Sequence, residues 1–503
     1  MLSPANAKEP YRRHPHLYEI NTYAWLEELS RREKRRITLG SVPASEWNRI
    51  QSLGFDFVWL MGVWKRSLQG RRIMRTDPQY FASYDEALPG WSIPDVVGSP
   101  YSIQDYSPDP RMANWQDLDA ARAELNRRGI KLILDFVPNH TGLDHVWIWR
   151  HPEFYVQGTL DDFRHNPAAY FLSENEEDSA FIARGKDPYF PAWPDTAQLN
   201  YFQPALRDAM IGVLRTIAEH ADGVRCDMAM LVLNDIFTQT WGKHLEGIPA
   251  PQEEFWPRAA AALPGFVWLG EVYWDLEQRM QQLGMDFTYD KRLYDRLRGS
   301  SPQDVRLHLT ADIAYQSRLA RFLENHDEPR SAAVFGAQKL PAVATLAFTL
   351  PGMRFYHHGQ LEGRKIHLPI QLRTGAELLD SPEAVIQELW QTLLKITSEE
   401  VFHAGEWRLL EVRPAGDASF CNLIASQWSR GRDLKIIAVN LGDMSSSGNV
   451  VIPAELFDAS LNYALHDQLN DKTYEWRGQD LARSGLYVKL DAFRSHIFNV
   501  SPR

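Results

Sequence analysis

Arg225 and Asp227 stand two residues apart in Gly223-Val224-Arg225-Cys226-Asp227-Met228-Ala229, a stretch that follows the turn signal Ala221-Asp222-Gly223 and then reads as a strand. Alternate side chains of a strand share a face, so the two point the same way. A guanidinium beside a carboxylate lowers its pKa and holds it ionised. An ionised, oriented carboxylate at a buried strand end is what a nucleophile needs, although a purely structural ion pair gives the same pattern. Other apolar runs end in similar chemistry: Asp135 before Pro138-Asn139-His140, Glu271 after Trp268-Leu269-Gly270, and Glu324-Asn325-His326-Asp327. Each alone reads as a cap or an ion pair. Gathered on one rim they point to catalysis, because desolvated like charges raise one another's pKa. Val272-Tyr273-Trp274 flanks Glu271 on its far side, and an apolar setting keeps a carboxylic acid protonated near neutral pH. Asp227 and Glu271 then divide the roles of nucleophile and proton donor.

The elements that must position these groups alternate in type. Strand-like runs are predicted at 17–22, 57–61, 131–137, 223–229, 266–272, 285–289, 319–325 and 353–357, with helical stretches such as 115–128, 204–220, 275–282 and 340–350 between them. Eight strand–helix repeats argue for an α/β fold, a (β/α)8 barrel, whose chemistry sits at the C-terminal ends of its strands. Residues 64–112 read as a long irregular region, and 141–200 as an aromatic, proline-punctuated insert after strand three. Beyond about residue 404, short strands separated by Gly, Asp and Ser predict an all-β domain, a small sandwich. The expected organisation is a barrel over 1–140 and 201–403, an inserted segment over 141–200, and a C-terminal domain over 404–503.

The chain has 503 residues and a net charge of −11. That balance disfavours nucleic acid and anionic membrane as partners, and no run is read as long enough to span a membrane. With 17 Trp, 19 Tyr and 23 Phe, there are faces enough to stack on sugar rings as well as to fill a core. The two cysteines, Cys226 and Cys421, do not suggest a disulfide framework; Cys226 faces away from Arg225 and Asp227 as a buried thiol. The first ten residues lack the apolar core of a signal peptide, so a cytoplasmic location is expected.

Asp135-Phe136-Val137-Pro138-Asn139-His140, Gly223-Val224-Arg225-Cys226-Asp227, Gly270-Glu271-Val272 and Glu324-Asn325-His326-Asp327, in this order and spacing, resemble the α-amylase family, glycoside hydrolase family 13. The resemblance extends to the barrel, the insert and the C-terminal domain. It implies that Asp227 is the nucleophile, Glu271 the general acid/base and Asp327 the transition-state stabiliser. It implies that Arg225, His140 and His326 contact the cleaved sugar, that Tyr101 stacks on it, and that Asp135 supports the arrangement. The implied enzyme is a retaining hydrolase of α-glucosidic bonds in short α-glucans or oligosaccharides, and its chemistry needs no cofactor. A transglycosidase or isomerase of trehalose- or sucrose-type disaccharides would share every one of these residues. A catalytically inactive binding relative would lack a carboxylate, and none is missing. Two positions depart from the family pattern. Met230-Leu231 stands where many endo-acting amylases have Lys-His, which favours short substrates or chain ends. Gln198-Leu199-Asn200 stands where relatives often have Asp-Leu-Asn, and Gln is a poorer ligand for calcium.

Overall fold

A computed structural model describes residues 11–173, 179–245, 247–379 and 381–503; the reading of the first ten residues falls outside them. Eight parallel strands close into a barrel: β1 (His16–Asn21), β2 (Phe57–Met61), β3 (Lys131–Phe136), β4 (Gly223–Cys226), β5 (Val267–Gly270), β6 (Phe287–Tyr289), β7 (Leu319–Arg321) and β8 (Met353–His357). Each pairs with its neighbours in chain order, and β8 returns to β1. Near-continuous apolar runs such as Phe57–Met61 form these strands because both faces are covered. A side chain at Gly223 would meet the Val267 carbonyl at 2.6 Å, so only glycine lets β4 and β5 approach there.

Several strands are shorter than the sequence predicts. Strands β4, β5 and β7 end at Cys226, Gly270 and Arg321, which leaves Asp227, Glu271 and Glu324 just beyond them. Met228, at φ 40° and ψ 49°, is in the left-handed region and breaks the ladder after Asp227. The region 64–112 is not irregular either. Trp64–Arg66 pairs antiparallel with Ile103–Pro108, and helices Leu68–Thr76 and Phe81–Ala87 lie between them. Their apolar residues build a satellite core, with Met74, Tyr84 and Val96 packing on Leu368 and Leu372. Helices this short show too few turns for their period to register in sequence.

The helix predicted at 340–350 begins at Ser331 and runs to Thr349; Gly336 at φ 63° and Pro341 interrupt its pattern. This helix is long and apolar enough to span a membrane by length and composition, at mean hydropathy 1.2, which corrects the reading that no run is. Its Leu340, Val343, Leu346 and Phe348 are buried in the main core.

The C-terminal region has eight antiparallel strands: β9 (Glu406–Pro414), β10 (Leu423–Arg430), β11 (Asp433–Asn440), β12 (Ser446–Val451), β13 (Asn462–Asp467), β14 (Lys472–Arg477), β15 (Leu486–Leu490) and β16 (Ser495–Pro502). Strand β9 pairs with β10 through Glu406–Leu410 and with β12 through Glu411–Pro414. The sheet therefore folds over at β9 and encloses Leu410, Ile436, Val450, Leu465, Val488 and Phe498, as a small sandwich does. Trp428 Nε1 donates to the Thr349 carbonyl at 2.6 Å, tying this sheet to the barrel.

Candidate active site

Arg225 is the hub of the C-terminal rim. Its Nη1 donates to Asp227 Oδ1 at 2.6 Å, its Nη2 lies 2.9 Å from Glu271 Oε2, and its Nε donates to Tyr289 Oη at 3.2 Å. The buried guanidinium sits 5.1 Å from the ring centroids of both Trp59 and Tyr101, where the aromatic faces favour a cation. Strand register fixes it: Arg225 is opposite Asp135 on β3 and Leu269 on β5. Main-chain bonds then hold the carboxylates that follow. Asp227 N donates to Phe136 O at 2.9 Å, and Glu271 N to Cys226 O at 3.0 Å. Glu271 Oε2 accepts from Met228 N at 2.6 Å, and its Oε1 accepts from Tyr273 Oη at 2.7 Å.

Burial raises the Glu271 carboxyl to about 7; Arg225 opposes the shift, and Asp227 and Asp327 add to it. This is the direction its apolar flanks predict. Asp227 departs from expectation. Desolvation outweighs the pull of Arg225, and Asp327 adds to it, so this carboxyl is raised rather than lowered. The reason is geometric: the one guanidinium is shared with Glu271, and burial penalises the charged form of both acids. Asp327 goes the other way. Desolvation would raise it, but the facing His326 imidazolium more than offsets that and holds it at about 2. Its side chain is 46% exposed at the cleft mouth.

His326 is an imidazolium. Burial would lower its pKa, but Asp327 and Glu19 raise it to about 10. Its Nδ1 lies 2.5 Å from Glu19 Oε1; its Nε2 lies 2.9 Å from Asp327 Oδ2 and 2.8 Å from Tyr101 Oη. His140 is a neutral imidazole, because burial lowers it to about 3; Trp193 packs on it at 5.2 Å. Asp135 lies beneath, accepting from Trp59 Nε1 at 3.0 Å and Gly62 N at 2.6 Å, and burial raises it to about 6.

A cleft of about 430 Å³ opens over this group, lined among others by Tyr101, His140, Asp227, Glu271, Tyr273 and Asp327. Arg225, His326 and Asp135 stand behind its wall. Met230 and Leu231 are buried in the turn Ala229–Val232 and do not line it. Among the described residues no group of three or more His, Cys, Asp or Glu is placed to hold a metal ion. Gln198 Nε2 donates to Asn139 O and Asn139 Oδ1, both at 2.9 Å, and to Leu199 O at 3.1 Å. The amide nitrogen of Gln198 thus faces these oxygens, where a calcium ion would need a further acceptor.

Sequence reasoning missed Glu19, Tyr273 and Tyr289. Glu19 leaves a signal in retrospect: it is the one charge inside the strand His16–Asn21, and a buried charge needs a partner. Tyr273 and Tyr289 carry no such mark, since buried tyrosines are common core residues.

The family model for the alpha amylase catalytic domain matches residues 45–367. The chain is 24% identical over 317 residues to Alpha-amylase 3 of Dictyoglomus thermophilum, covering 59% of this chain and 60% of that protein. It is 26% identical over 323 residues to Maltase 1 of Drosophila virilis, covering 53% and 50%. The chain thus matches about half to three-fifths of the length of these relatives. Its fold resembles that of the maltogenic alpha-amylase AmyB from Thermotoga neapolitana, with a TM-score of 0.69, 20% identity, and 97% and 98% of the two chains covered. With the closed barrel in place and the family model spanning well over half of its residues, the chain belongs to the alpha-amylase family of glycosidases.

Proposed function

We propose that the enzyme hydrolyses α-glucosidic bonds of short α-glucans or oligosaccharides with retention of configuration. The observation that carries this reading is the placement of Asp227 and Glu271 on one guanidinium, inside a cleft that also holds Asp327. In the first step Asp227 attacks the anomeric carbon as Glu271 protonates the leaving oxygen; the glycosidic bond breaks and a glycosyl ester forms. Glu271, now a carboxylate, takes a proton from water, whose oxygen displaces Asp227 and restores both groups. Positive charge builds on the sugar in both steps. Asp327, held ionised by His326, faces that charge from the cleft mouth. His140, a neutral imidazole lining the cleft, pairs with a sugar hydroxyl, while both N–H groups of His326 are taken by Glu19 and by Asp327 and Tyr101.

The chemistry needs no cofactor, and the Gln198 amide bonds argue against calcium at that junction. Product analysis on maltose, maltotriose, longer maltodextrins, trehalose, sucrose and pullulan tests the reading. Glucose released from the short maltodextrins is expected; rearranged disaccharides without net hydrolysis would overturn it.

A further inference from the structure

The cleft wall beside Tyr101 carries a carboxylate that the reaction above does not use. Asp195 lines the cleft and is 5% exposed, and its Oδ2 is buried without a hydrogen-bond partner. Its main-chain carbonyl accepts from Ser102 Oγ at 2.7 Å, which seats it next to Tyr101. The nearby Arg184 directs Nη1 to the Pro194 carbonyl instead. Helix Leu68–Thr76 packs directly upon it: a Cβ on Gly70 would come within 3.1 Å of Asp195 Cβ. An acceptor buried without a donor is destabilising by about 1–3 kcal/mol, more when charged, so the missing donor calls for an explanation. A sugar hydroxyl is such a donor.

Met74, Tyr80, Ile370 and Gln371 also line the cleft, and they come from the segments after β2 and after β8. Val97 N donates to Gln371 O at 2.8 Å. The buried Arg66 bonds Gly98 O at 2.6 Å and Ile370 O at 3.2 Å through one nitrogen. The satellite core locks the two segments together beneath.

We propose that Asp195 accepts hydrogen bonds from hydroxyls of the glucosyl unit bound in the cleft, against a wall held by these contacts. This rests on the α-glucosidic reading of the site. The test compares kcat/KM of the full chain and of Asp195→Asn for a nitrophenyl α-glucoside and its 3-, 4- and 6-deoxy analogues. With the native enzyme at least one analogue is expected to be poorer by about ten- to a hundredfold, the worth of a hydrogen bond to a charged group. In Asp195→Asn that discrimination is expected to fall to within about threefold, with Tm preserved. A merely structural Asp195 would lower activity on all analogues alike and leave the discrimination intact, which overturns the proposal. Absence of action on every α-glucoside would refute the underlying reading as well, which sets that failure apart from the first.

Discussion

Glu19 Oε1 lies 2.5 Å from His326 Nδ1, so the first barrel strand and the segment after the seventh meet in a buried ion pair behind the cleft. His357 on β8 shares this carboxylate, with its Nε2 3.9 Å away. Through His326 the pair reaches Asp327 and Tyr101, which face substrate. Glu19→Gln keeps the size and removes the charge. The His326 pKa is expected to fall from about 10 towards 6.5, read by nitrogen-15 NMR of the ring. A pKa raised on folding adds stability that is fully present below 6.5 and is lost as pH rises through 10. The variant should therefore have a lower Tm than the native enzyme in mildly acid solution and a similar one in strong alkali. An unmoved His326 titration would exclude the role given to Glu19.

Asp227→Asn is expected to fold normally and to lose at least about a thousandfold in kcat, because no other group can form the glycosyl ester. Retention of more than about a tenth of the native rate would remove Asp227 from the nucleophile's role.

Glu271 must be protonated to assist the leaving group. With its carboxyl raised to about 7, activity should fall as pH rises through that value. Glu271→Gln should lose cleavage of natural substrates, yet keep a burst of glycosylation with an α-glucosyl fluoride, whose leaving group needs no proton. Asp327→Asn should slow both substrates alike, since both pass through the same charged sugar. Selective rescue of Asp327→Asn by the fluoride would exchange the two roles.

Exhaustive treatment with a chelator is expected to leave activity and Tm unchanged, given the amide nitrogen of Gln198 among the oxygens of Asn139 and Leu199. A drop in Tm that calcium restores would show a cation site outside this junction or a rearranged one within it.

The barrel was legible because buried parallel strands are long apolar runs, and the site because its charged residues stand where those runs stop. Less was legible where function depends on distant segments meeting. Glu19 and His326 are joined only by closure of the barrel, and Met74 reaches Leu372 only through the satellite core. The sense of the Asp227 shift was misread for a related reason. The Arg225–Asp227 spacing is local, whereas the sharing of Arg225 with Glu271 comes from the β4–β5 pairing, and desolvation comes from the whole rim.

The most direct measurement is the anomeric form of the first sugar released, followed by proton NMR before mutarotation. Attack by Asp227 and then by water inverts the anomeric carbon twice. The expected result is α-configured sugar from an α-glucoside. Initial release of the β-anomer would mean direct attack by water and would contradict a nucleophilic Asp227.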